Sequence, residues 1–130
     1  MILILYSIIA LIGSVQDIKT RNVSNIIHIC IIIISLPNIS AYNIVGGILG
    51  FIVFIAPNFF IKEGIGGADI KFMFASGLLL GVFKVTIATG IGMILAIAVN
   101  KFINLISKKN ENEIPLIPYL SIGCIFSYLI

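Results

Sequence analysis

Charge is what this chain has least of. Only 10% of its 130 residues are charged against 60% hydrophobic, and the mean hydropathy is +1.23. A soluble domain carries roughly 25% charged residues, so the composition excludes one and assigns the chain to a membrane. Cysteine is equally sparse. Cys30 and Cys124 stand apart, without the paired spacing of a zinc or redox motif, and read as buried packing residues. The single histidine, His28, has no acidic or cysteine partner at metal-ligand spacing. It reads as a structural residue bonded to a neighbouring polar group, and neither a metal nor a cofactor is expected. The net charge of +3 comes from scattered basic residues, not a basic stripe interleaved with aromatics, which excludes a nucleic-acid partner.

What is present is apolar sequence in six runs, at about 1 to 16, 25 to 36, 43 to 61, 70 to 83, 85 to 106 and 114 to 130. Charge, Pro, Asn or Gly bounds each run. A transmembrane helix needs about 20 apolar residues, so 130 residues hold at most six spans with short connections and no separate soluble domain. The expectation is an all-α membrane protein, a six-transmembrane-helix bundle forming a single domain over 1–130. The second and fourth runs fall short of a full span and must extend into their polar flanks or sit where the bilayer is thin. Apolar residues follow Met1 at once, without the basic start of a secretory signal, so the first run reads as a retained helix.

Basic residues orient the bundle. Lys19 and Arg21 fall in the first connection, Lys62 and Lys71 in or beside the third, and Lys101, Lys108 and Lys109 at the fifth; only Lys84 falls in an even-numbered one. The positive-inside rule then makes the odd connections cytoplasmic. Asp17 and Asp69, the only aspartates, come out on that same face.

A carboxyl at membrane depth is expensive, and function is its default explanation. Gly64, Gly66 and Gly67 lie just before Asp69 and free the backbone there for turns and for close approach of a substrate strand. Non-helical backbone in a membrane needs burial in protein or access to water, so a glycine-rich approach to a carboxylate suggests a wet cavity. Two carboxylates facing one water share a proton and supply both base and acid. The plainer reading makes each aspartate half of an interfacial ion pair, Asp17 with Arg21 and Asp69 with Lys71. Gly46 with Gly50, Gly77 with Gly81, and Ala88, Gly92 and Ala96 have the four-residue spacing of close helix packing.

The segment Gly64-Ile65-Gly66-Gly67-Ala68-Asp69-Ile70-Lys71 resembles the GxGD segment of type IV prepilin peptidases, a family of intramembrane aspartic peptidases. Asp17-Ile18-Lys19-Thr20-Arg21-Asn22-Val23-Ser24-Asn25 is similar to that family's first catalytic segment, an aspartate followed by basic residues and an Ile-Pro-Asn-like tripeptide. Ile114-Pro115-Leu116-Ile117-Pro118 resembles its doubled-proline signature. Ala68 stands where the family has the second glycine of GxGD, and Ser24 where it usually has proline.

The resemblance implies an aspartic endopeptidase with Asp17 and Asp69 as its dyad, and Gly64, Gly66, Gly67 and Ala68 as the active-site loop. Lys19, Arg21 and Lys71 would tune the dyad. It also implies a substrate: a prepilin, pseudopilin or archaellin-like membrane protein whose short basic leader is cleaved at the cytoplasmic face of the cell membrane. Larger members carry paired cysteines and methylate the new N-terminus; this chain resembles the peptidase-only members. Two further readings use the same residues, a non-enzymatic pilus-assembly subunit and a small proton or cation pathway. The glycine segment together with the doubled proline speaks against both, since a bare proton relay needs neither.

Overall fold

The computed structural model describes residues 1–61, 66–107 and 115–130. Among them are six α-helices and no strand: α1 (Ile2–Thr20), α2 (Asn25–Ser35), α3 (Ala41–Phe60), α4 (Gly67–Leu80), α5 (Val82–Ser107) and α6 (Ile117–Leu129). Helices α1, α3 and α5 are long and apolar enough to cross a membrane. Their outward side chains stay apolar, as Ile4, Ile8 and Leu11 of α1 show with half or more of their surface exposed. Such a surface suits lipid, which is as apolar as leucine. At 14 residues α4 is about 21 Å long by helical rise, short of the roughly 30 Å hydrocarbon core. It is enclosed by α2, α3, α5 and α6.

Local chemistry sets the helix ends. Arg21 closes α1 in the left-handed region (φ 55°), its N–H donating to the Asp17 carbonyl at 2.9 Å. Ser24 caps α2, its hydroxyl accepting from the Ile26 N–H at 3.4 Å. The position where the related segment usually has proline is thus occupied by a good N-cap residue. Ser40 caps α3 through the Asn43 N–H, and Gly81 ends α4 at φ 82°, a conformation that favours glycine.

The pair α3 and α4 carries the glycine spacing. A Cβ on Gly77 would lie 2.5 Å from the Gly46 carbonyl oxygen, and one on Gly50 would lie 2.7 Å from that of Met73. Backbone therefore meets backbone across α3 and α4. On the other side, Gly92 meets Leu120 and Gly123 meets Ala88, which seats α6 on α5. Polar side chains cross-link the interior. Tyr6 of α1 bonds Ser76 of α4 at 2.9 Å, Asn43 of α3 donates to the Leu78 carbonyl at 2.8 Å, and Ser14 of α1 bonds Ser121 of α6 at 3.3 Å. Each satisfies a group that lipid could not. Cys124 is buried in this core, Cys30 is half-buried, and both are free thiols.

Several boundaries differ from the sequence expectation, α5 starting at Val82 with Lys84 inside it and α6 at Ile117, and two of them bear on the aspartates. Helix α1 runs on through Asp17 to Thr20, and α4 begins at Gly67, three residues before the apolar run. Both aspartates therefore sit on helices, in the last turns of α1 and the first turn of α4. Lys62, Glu63, Gly64 and Ile65, and with them Lys108, Lys109 and Ile114, lie outside the described residues.

Candidate active site

Helix polarity alternates along the chain, so the end of α1 and the starts of α2, α4 and α6 share one end of the bundle. A cavity of about 540 Å³ opens there. Asp17 and Asp69 both line it, with Arg21, Asn25, His28, Gly66, Gly67, Ala68 and Lys71 among the other wall residues. The two carboxylates are close enough for the Asp17 charge to act on Asp69. Relative exposures of 5% for Asp17 and 9% for Asp69 mean that neither is a freely solvated surface carboxylate. Lys71 turns its ammonium to the Asn25 side-chain oxygen, 3.1 Å away, tying α4 to α2.

Asp17 has a fixed anchor. Its Oδ2 accepts the Ile117 backbone N–H at 3.1 Å in a buried contact with the first residue of α6. A helix N-terminus offers unpaired N–H groups, and this one fixes the position of the Asp17 carboxylate. Pro118 lies in the first turn of α6, where its missing N–H costs nothing and its fixed φ starts the helix. One turn further along each helix, the Ser14 to Ser121 bond holds α1 and α6 in register. Gly13, one turn before Asp17, lies against α2 and α6: a Cβ there would be 3.2 Å from the Ile27 Cγ2 and 3.9 Å from that of Ile117.

Asp69 is the less constrained partner. Its Oδ1 is buried without a hydrogen-bond partner. The glycines before it are bare without being twisted: Gly66 has φ −63° and Gly67 is the first helical residue, so neither uses the positive φ that only glycine adopts easily. That part of the sequence reading is corrected. What remains is space, since a Cβ on Gly67 meets nothing within 4 Å and one on Gly66 would touch the Asp69 Oδ2 at 3.4 Å. Ala68, in the place of a glycine, lines the cavity without obstructing it.

Of the residues expected to tune the pair, Arg21 and Lys71 reach the cavity wall, and the Arg21 charge acts on Asp17. Lys19 is exposed and lies outside the cavity lining. Gly64 lies outside the described residues. Two contributors were missed. Gln16, which the sequence did not single out, accepts the Ser24 N–H through its side-chain oxygen at 3.1 Å and so braces the turn from α1 into α2. His28, read as bonded to a polar neighbour, lines the cavity with both ring nitrogens buried and unpartnered. Its spacing of three from Asn25 puts it on the same helix face, a signal the sequence did carry.

Fold and cavity together define a helical membrane protein with a pair of buried carboxylates at one end. The profile of the type IV leader peptidase family matches residues 4–100, three quarters of the chain and both aspartates, and the protein belongs to that family. It is thereby a member of a peptidase family. Neither a curated protein nor a solved structure matches the chain significantly.

Proposed function

We propose that the protein is an aspartic-type leader peptidase in which Asp17 and Asp69 activate one water between them. The observation that carries this reading is the shared cavity, where two buried carboxylates from different helices interact and one is anchored on the start of α6. With one proton held between the pair, the ionised carboxylate takes a proton from water as the oxygen attacks the scissile carbonyl carbon. The protonated partner gives its proton to the carbonyl oxygen. A tetrahedral diol results. The aspartate that took the water's proton then gives it to the amide nitrogen while the other takes a proton from a diol hydroxyl; the C–N bond breaks, acid and amine leave, and the pair is as it began.

The substrate we propose is a prepilin-like or archaellin-like membrane protein, cut between a short basic leader and an apolar helix. The apolar flank of the bundle suits the helix, and the cavity end, with Lys19, Arg21, Lys71 and Lys101 toward it and Lys84 at the other end, suits the cytoplasmic face of the cell membrane. Co-expression with a prepilin-like protein tests this. The reading expects a shift on a gel by the mass of the leader, and an unshifted substrate with well-expressed protein would overturn it.

A further inference from the structure

His28 is the one histidine of the chain. It is 4% exposed, and both Nδ1 and Nε2 are buried without a hydrogen-bond partner. Leaving a buried polar group unsatisfied is costly, and most buried polar groups have partners. Two orphaned nitrogens on one ring therefore call for an explanation, and the ring's surroundings supply one.

The imidazole stands between two spaces. On one side is the carboxylate cavity; on the other is an apolar groove of about 400 Å³ floored by Ile29, Ile32, Phe51 and Phe74. Asn25, His28 and Lys71 line both, so the two share this wall. The ring packs edge-on against Phe72, with centroids 6.5 Å apart and planes at 72°, which fixes its orientation in the absence of hydrogen bonds. An imidazole offers one N–H donor and one nitrogen acceptor that point apart, and every backbone residue but proline carries the matching carbonyl and N–H.

We propose that His28 binds the backbone of the substrate on the apolar side of the scissile bond, donating to one carbonyl and accepting one amide N–H. A chain lying across Asp17 and Asp69 passes over His28 into the apolar groove. The ring thus sets the register of the bond to be cut. The inference rests on the leader-peptidase reading above.

The test uses full-length protein in detergent and a purified prepilin-like protein with a basic leader, comparing the parental enzyme with His28→Leu and His28→Gln. Losing two neutral hydrogen bonds should raise KM about tenfold in His28→Leu, with kcat changed less. His28→Gln, which keeps a donor and an acceptor, should recover most of that loss. Thermal unfolding should show His28→Leu at least as stable as the parental protein, because leucine leaves no buried polar atom unpaired. An unchanged KM in His28→Leu overturns the inference alone. So does a fall in kcat at constant KM, which would assign the ring to the attacking water, or a loss of folding, which would make it structural. Absence of cleavage by the parental protein overturns the peptidase reading and this inference with it.

Discussion

Substituting Gly77 by alanine probes the contact that holds Asp69 in place. The added methyl would sit 2.5 Å from the Gly46 carbonyl oxygen and 2.8 Å from the Gly47 Cα. Ordinary contact begins near 3.4 Å, so α3 and α4 must part by about 1 Å. Both obstacles are backbone, and no rotamer change relieves them. Overpacking of this kind costs about 1 to 3 kcal/mol, and the fixed backbone puts this case at the upper end. Alanine returns up to about 1 kcal/mol through its better helix propensity. The expected net loss is about 2 kcal/mol, roughly a 30-fold fall in the folded to unfolded ratio. Gly90→Ala is the control, because a Cβ there meets nothing within 4 Å on the exposed side of α5, and it should be neutral or slightly stabilising. Reversible unfolding in detergent micelles, followed by circular dichroism, measures both. Equal stability of the two variants would show that the backbone contact between α3 and α4 is absent from the folded protein.

The other expectations concern the site and its placement. Ile117→Pro removes the N–H that holds Asp17 while keeping a residue tolerated at a helix start; a lost hydrogen bond to a charged group is worth about 1.5 to 3 kcal/mol, so steady-state cleavage should fall about 10-fold to 100-fold, whereas Ile117→Val should stay near the parental rate. Equal rates would detach α6 from the chemistry. Gly67→Val places its side chain in open cavity space, and it should depress cleavage strongly at parental thermal stability; full activity would make the segment an ordinary linker. Ser24→Ala removes the α2 cap and should cost about 1 kcal/mol in unfolding free energy, a loss that an unchanged unfolding curve would contradict. Single cysteines at Asn22 and Asn38 fall at opposite ends of the bundle, so an impermeant thiol reagent should label Asn38 alone from outside cells, and labelling of both would sink the topology.

The helices were legible because apolar runs bounded by charge are hard to mistake, and the carboxylates because a membrane chain with two aspartates advertises them. The helix ends were less so. Asp17 to Thr20 looked like a polar connection, yet the helix runs on until Arg21 takes up the left-handed turn. Backbone partners leave no mark in a sequence, so the Ile117 N–H on Asp17 was invisible even though Pro115 and Pro118 announced a helix start. His28 was misread for a similar reason. A lone histidine in an apolar run looks like a satisfied core residue until the third dimension shows what is missing around it. At Gly66 and Gly67 the structure shows room and no positive φ, so what the sequence suggested there as freedom of the backbone is in the structure the absence of a side chain.

The account's central claim is that one pair of carboxylates performs the cleavage. The direct measurement is single-turnover cleavage of a purified prepilin-like substrate by purified protein, with mass spectrometry of both products, for the parental enzyme, Asp17→Asn and Asp69→Asn. The account expects one bond cut by the parental protein and no product above the uncatalysed background from either variant, with all three proteins equally folded. Product from either asparagine variant at the parental rate would remove that residue from the chemistry and contradict the two-aspartate mechanism.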